Sequence, residues 1–353
     1  MRTSLGVSLT LEFSQYLADA CVFRSMQDGS VLMTIVMHVD VIFAVGEKQG
    51  VTSSAMTWTK RFRSRTWASY VGIRYSGCFY ERDWEKRLLK ISQQTFAEHL
   101  SDEYGTGFGK SAPLPVGTRL AEFDENEASG DWLFRELAGS PVCLSTQTRP
   151  DISNTIRAVA RYCAAPKLVH WRAALGILGY VRWTSSFGVT FQRGTAGGLI
   201  LQVFADVDYA SKAADRRLVS GGLVMCGGAC VSWFSRTQKC VTLSTTEAEY
   251  VALAGTIKEV LFLRQVWRFM LPDVGMPCIP VFEGNQGAVQ LAQNPITNSN
   301  SKHIDVRHHF LTELVGRKDI SIIHVPSPFQ RADFLTKAIL RESFEFHLAM
   351  NLW

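Results

Sequence analysis

The chain has 353 residues, 46% of them hydrophobic and 20% charged, with a formal net charge of +5. This length supports two domains with real cores, and the composition excludes a disordered or fibrous chain. The mild basicity is compatible with nucleic-acid binding but does not argue for it. The eight cysteines form no pair of CxxC units, and no His stands at zinc-knuckle spacing from Cys226 and Cys230. They read as buried, reduced thiols of an intracellular protein, not secreted. Met1 to Leu11 lacks a secretory pattern. The most apolar stretch, Val31 to Val45, is interrupted by His38 and Asp40 and is too short to cross a bilayer.

In chain order, Val31 to Val45 predicts a strand or hairpin presenting Asp40. Thr52 to Arg74 has a basic run and no clear period, and it receives no assignment. The segment from Ile91 predicts a helix, with Phe96 and Leu100 four apart and Gly105 as its stop. Lys110 to Ser129 reads as a connector. Helices are predicted over Asp131 to Ala138, stopped by Gly139, over Ile152 to Ala164, and over Leu168 to Trp183 beyond the Pro166 break. Gly194 to Gly198 is a turn-rich joint, and the main domain boundary is placed there.

Beyond the joint, strands are predicted at Leu199 to Phe204, Val219 to Val224 and Ala229 to Phe234. Thr246 to Met270 predicts a long helix, Ile279 to Phe282 a strand, and Asn285 to Ala292 and Lys302 to Arg317 two helices. A strand at Ile320 to Val325 and a final helix from Phe329 complete an α/β layer with a mixed sheet.

Metal-assisted phosphodiester hydrolysis needs several carboxylates converging on two hard cations from rigid strand ends and first helical turns. Asp206 follows an apolar strand, Glu247 opens the long helix, and Asp333 lies in the predicted last helix. Each also has a plain structural reading. Asp206 and Asp208 can cap a turn, and Ser244 with Glu247, or Thr246 with Glu249, fits a capping box. Asp333 alone reads as a surface charge.

The strings FADVDYA, STTEAEYVAL, FEGNQGAVQLAQNP, SKHIDVRHHF and ADFLTK occur in that order between Leu199 and Leu340. Together they resemble the ribonuclease H domain of copia-type LTR retrotransposon Pol polyproteins. LADACVFR, MHVDVIFAVG and TRPDISNTIRAVARYC upstream are similar to the C-terminal part of the same family's reverse transcriptase. The family's protease, integrase and first palm carboxylate have no counterpart in this sequence. The resemblance implies metal ligands at Asp206, Glu247 and Asp333, with Mg²⁺ or Mn²⁺ as cofactor and an RNA–DNA hybrid as substrate. The family's remaining ligand, an Asp before Asn-Gln, falls on Gly284. Glu283 is adjacent, but in an extended strand it points to the opposite face. Asp208 is a second candidate to lend the missing charge.

Asn285 and Gln286 can hydrogen-bond ribose hydroxyls. Lys302, His303, Arg307 and His308 form a basic cluster that reads either as a phosphate contact or as a solvated helix face. The family's catalytic polymerase strand, Tyr-Val-Asp-Asp, reads His38-Val39-Asp40-Val41 here. Asp40 alone cannot assemble a two-metal polymerase site.

The expected organisation is therefore a reverse-transcriptase palm remnant over 1–60 and an aberrant segment over 61–74. A reverse-transcriptase C-terminal region follows over 75–196, then a ribonuclease H-like domain over 197–340 and a tail over 341–353. A one-base shift of one codon choice for Arg65 to Ile73 yields Lys-Asn-Leu-Gly-Glu-Leu-Arg-Trp-Tyr, which resembles the family's Leu-Gly-Glu-Leu segment. The hypothesis of a frame disturbance fails if the gene admits no such shift. The expected function is severely impaired hybrid hydrolysis without polymerase activity. The alternatives are a non-catalytic nucleic-acid-binding module or the non-functional product of a decayed element.

Overall fold

A computed structural model describes residues 13–38, 41–46, 72–107, 109–121, 123–124, 126–127, 130, 132–194, 199–208, 218–239, 242, 244–293 and 302–351. The chain divides into two compact units, Met1–Ser76 with Leu261–Met276, and Gly77–Val260 with Pro277–Trp353.

The first unit carries an antiparallel sheet of β1 (Phe13–Gln15), β2 (Val22–Gln27), β3 (Ser30–His38) and β4 (Val41–Gly46), in that order. Asp28 and Gly29 both adopt positive φ (51° and 82°), the two-residue turn whose twist matches a hairpin, and they join β2 to β3. The apolar run from Val31 is the β3–β4 hairpin, closed by the His38–Val41 pair. Asp40 and most of the aberrant segment lie outside the described residues. The next strand, β5, spans Gly72–Tyr75.

In the second unit, β6 (Cys78–Asp83), β7 (Leu88–Ser92) and β8 (Gly188–Gln192) pair antiparallel. Between β7 and β8 lie α1 (Gln94–Glu103), α2 (Phe134–Gln147), α3 (Ser153–Ala160) and α4 (Leu168–Trp183). Gly139 does not stop its helix, as the sequence suggested. The buried stripe Phe134, Leu137, Ala138, Pro141, Leu144 and Ser145 keeps helical spacing straight past it. Packing of that stripe outweighs the local cost of Gly and Pro.

A buried ion pair holds these helices. Arg149 is 1% exposed, and its Nη2 lies 2.7 Å from Asp151 Oδ2. Its Nε donates to Asp151 Oδ1 at 2.9 Å, and Nη1 donates to the Thr184 carbonyl at 2.9 Å. The Tyr180 hydroxyl donates to Asp151 Oδ2 at 2.7 Å. One guanidinium thus ties the turn after α2 to the end of α4, with its donors met by a carboxylate and a helix-terminal carbonyl.

The rest of the unit is a five-stranded sheet in the order β11-β10-β9-β12-β13. β9 (Leu201–Asp208), β10 (Val219–Cys226) and β11 (Ala229–Thr237) run antiparallel; β12 (Ile279–Glu283) and β13 (Ile320–His324) run parallel to β9 and to each other. Helix α5 (Thr245–Met270) separates β11 from β12, while α6 (Gln286–Gln293) and α7 (Lys302–Gly316) separate β12 from β13. This is a mixed sheet flanked by helices.

The predicted helix from Phe329 is absent. Ser327–Phe329 and Asp333–Leu335 form two 3₁₀ turns, and α8 starts only at Arg341. Gln330 takes an extended backbone (ψ 95°), and its side chain donates to the Ala205 carbonyl at 2.9 Å, which breaks helical continuity. The cysteines are also not uniformly buried. Cys78, Cys226 and Cys230 are, but Cys21, Cys143 and Cys278 are exposed.

The joint at 194–198 lies within this unit, between segments that share one core. Leu137, Leu144, Ile177 and Tyr180 join Phe204, Leu223, Phe334 and Phe344 in a single apolar cluster. Trp233 Nε1 donates to the Ser145 carbonyl at 2.7 Å, and Arg157 Nε to Ser235 Oγ at 3.0 Å.

Asp151→Asn leaves a buried guanidinium without its charge partner, so a loss of about 3–5 kcal/mol is expected in urea unfolding of the full chain. A loss below about 1 kcal/mol would show that the pair does not organise these helices.

Candidate active site

Asp206 sits on β9 beside Gly221 of β10, and the side chain is 7% exposed. A Cβ at Gly221 would lie 2.7 Å from Thr336 Cγ2 and 2.9 Å from Leu335 Cβ. Glycine is therefore what lets the Asp333–Leu335 turn lie flat on the sheet next to Asp206. That turn delivers three groups. The Thr336 hydroxyl donates to Asp206 Oδ2. Lys337 Nζ lies 3.1 Å from Asp333 Oδ2 and 3.5 Å from Asp206 Oδ2. Asp333 itself is 6% exposed.

Two further carboxylates join them. Glu283 ends β12 opposite Ala205 and has no exposed surface. Its Oε1 accepts the Asn285 N–H at 2.9 Å, while Oε2 is buried with no hydrogen-bond partner. Glu249, near the start of α5, likewise has a buried, partnerless Oε2.

These groups share one electrostatic environment. Burial first, then repulsion from Glu283, Asp206 and Asp333, raises the Glu249 carboxyl far above its ordinary 4.5, with Lys337 opposing. Burial and the Asp206 charge raise Glu283, against the Asn285 N–H. Burial and Asp206 likewise raise Asp333. Burial opposes the charge on Lys337, but Asp206 and Asp333 outweigh it and raise its ammonium. One cation thus faces four acids.

Glu249 was not singled out as a ligand from the sequence; Glu247 was. Residues two apart on a helix are separated by about 200°, so the two glutamates face opposite ways. The Glu247 N–H bonds Ser244 Oγ at 3.1 Å, half of the capping box. Glu249 instead heads a stripe at helical spacing with Leu253, Thr256 and Val260, all fully buried. Positions 249, 253, 256 and 260 fall on one helical face, and burial identifies that face as the one turned to the core.

Asp208 lies on the same strand face as Asp206, two residues on, at the end of β9. Gly284 is exposed, and a Cβ there would meet only Gln330 Nε2, at 3.9 Å. Asn285 Oδ1 accepts the Ala288 N–H at 3.0 Å and so caps α6, while Gln286 is exposed. Lys302, His303, Arg307 and His308 stand in the first turns of α7, but their side chains lie outside the described residues.

An all-oxygen set with two partnerless buried oxygens fits a hard divalent cation in kind. Among the described residues, no group of three or more His, Cys, Asp or Glu side chains is placed so as to hold an ion. Glu249 Oε2 and Glu283 Oε2 are the two oxygens that a cation would satisfy.

No protein-family model matches the chain. Its sequence is 28% identical over 341 residues, 93% of its length, to the retrovirus-related Pol polyprotein from transposon TNT 1-94 of Nicotiana tabacum. The chain is similar over 93–96% of its length to copia-type retrotransposon Pol polyproteins. It spans 25% of that relative's length. A secreted RxLR effector protein 161 of Plasmopara viticola is 36% identical over 130 residues, covering 37% of this chain and 90% of that one. The N-terminal ribonuclease H domain of rv2228c from Mycobacterium tuberculosis aligns with 43% of this chain and 98% of its own chain, at 13% identity and a TM-score of 0.31. No helix among the described residues of the chain is long and apolar enough to cross a membrane.

The raised carboxyls make a signed prediction for the metal-free protein. A folded carboxyl held above its unfolded value binds more protons when folded, so stability falls as pH rises from about 4.5. In chelator, Glu249→Gln should raise the melting temperature at pH 8, and the gain should shrink toward pH 5. Equal melting at both pH values would mean that Glu249 carries no such penalty.

Proposed function

We propose that this Pol segment hydrolyses the RNA strand of RNA–DNA hybrids with Mg²⁺ or Mn²⁺, slowly, and has no polymerase activity. The observation that carries this reading is the convergence of Asp206 and Asp333 from two separate elements on Lys337, with Glu249 in the same electrostatic field. The family's pattern assigns the cations to acids of this set, with Asp208 beside them, but among the described residues they are not gathered around one ion position. When bound, the ions supply charge to the attacking water and to the leaving oxygen. Thr336 and Lys337 hold Asp206 and Asp333 in place.

Gly284 stands where the family carries an Asp, and its side-chain space is open. The missing carboxylate costs about two orders of magnitude in rate. Substrate contact is assigned to Gln286 and to the basic first turns of α7, Lys302, His303, Arg307 and His308. Asn285 keeps its amide nitrogen for the same purpose. The compartment that fits this substrate is intracellular, cytoplasmic or nuclear. Gly284 also favours a second reading, a fold that holds hybrid without cutting it.

The full chain, incubated with labelled RNA–DNA hybrid in Mg²⁺ or Mn²⁺, should cleave weakly, and Gly284→Asp should raise the rate about a hundredfold. Glu249→Gln should abolish the remaining activity, and Glu247→Gln should retain it. A folded Gly284→Asp protein that binds hybrid without cutting it would support the second reading. Primer extension by the same preparation would refute the loss of polymerase activity.

A further inference from the structure

Two arginines of this chain meet burial in opposite ways. Arg149 is fully buried, and its charge and donors are met by Asp151 and the Thr184 carbonyl. Arg331 is half-buried, and its guanidinium carbon lies 5.3 Å from the centre of the Phe204 ring. Among the described residues it has neither an ion-pair partner nor a hydrogen bond. Removing part of a guanidinium's water with no acid beside it is costly, and burial lowers the Arg331 pKa accordingly. Asp206 and Asp333 do not compensate, since they take Lys337 instead. The place of Arg331 is fixed by its neighbours in the chain. The Gln330 side chain donates to the Ala205 carbonyl at 2.9 Å and accepts the Ala332 N–H at 3.3 Å, and Asp333 follows directly. Phe204 and Asp206 share a strand face, so the guanidinium lies on the Asp206 side of the sheet, about 7 Å back along β9.

We propose that Arg331 is a substrate-binding residue that holds one backbone phosphate of the nucleic acid beside Asp206 and Asp333. The proposal rests on the hydrolysis reading above and adds a contact to it. A phosphodiester supplies the anion that the protein does not, and a guanidinium fork can donate two parallel N–H bonds to its oxygens. The Phe204 ring, itself stacked on Phe282 with 4.7 Å between centres, backs the flat face of that fork and leaves its N–H edge for the phosphate. A contact of this kind positions a strand without reading its bases, which suits hydrolysis of hybrids of any sequence. The plain alternative is an arginine that only covers the Phe204 ring. It predicts an effect on stability and none on phosphate binding.

The test is the salt dependence of RNA–DNA hybrid binding by the full chain, measured by fluorescence anisotropy in chelator so that nothing is cut. Each phosphate neutralised contributes about 0.9 to the slope of log affinity against log salt. Arg331→Gln should therefore lower that slope by about 0.9 and weaken binding alike for hybrids of different sequence. Arg331→Lys keeps the charge and should keep the slope. An unchanged slope in a folded Arg331→Gln protein, or as large a loss in Arg331→Lys as in Arg331→Gln, would overturn the contact. The hydrolysis reading would still stand in that case if Gly284→Asp cleaves hybrid. No hybrid binding by the parent at low salt, with no cleavage by Gly284→Asp, would overturn both.

Discussion

A buried guanidinium is tolerated only when its charge and its donors are met together. Arg149 meets that condition through Asp151, Thr184 and the Tyr180 hydroxyl that shares Asp151. The same tyrosine ring packs 6.0 Å from Phe344, which packs 6.5 Å from Phe334. Phe334 is the neighbour of Asp333. A single ion pair therefore fixes a helical platform, the platform fixes an aromatic chain, and that chain seats the turn carrying one of the acids. The helices before the predicted joint at 194–198 and the five-stranded sheet after it consequently share one core.

The site is built on the opposite electrostatic principle. Where Arg149 and Asp151 cancel, Lys337 is, among the described residues, the one cation set against Asp206 and Asp333, with Glu249 and Glu283 nearby. Desolvated like charges are costly, and such an imbalance is expected where function requires an added cation. The sheet accommodates it by giving up side chains nearby. Gly221 clears space for the Asp333 turn, and the next residue, Gly222, does the same toward Phe234 and Thr256, since a Cβ there would lie 2.4 Å from the phenyl ring.

Gly284 stands exposed just past the end of β12 with open space where a side chain would go, and β12 keeps its register with β9 and β13. The His38–Val41 pair likewise closes the β3–β4 hairpin. In both places the backbone pairing is independent of the acids that the family's pattern carries there.

The sequence alone determined the order of elements, the mixed sheet and the family, because hydrophobic period and motif strings are local properties of the chain. It also named Asp206 and Asp333, which the fold brings together on Lys337. It placed Asp333 on a helix that does not form, because the break depends on Gln330 reaching across to Ala205. It stopped α2 at Gly139, because the stripe that carries the helix onward gains its energy only from the core it meets. It took Glu247 over Glu249, because both fit a capping box and only the buried stripe of α5 shows which one turns toward the sheet. Tertiary structure decided these three points, since each depends on which residues distant in the chain become neighbours in space.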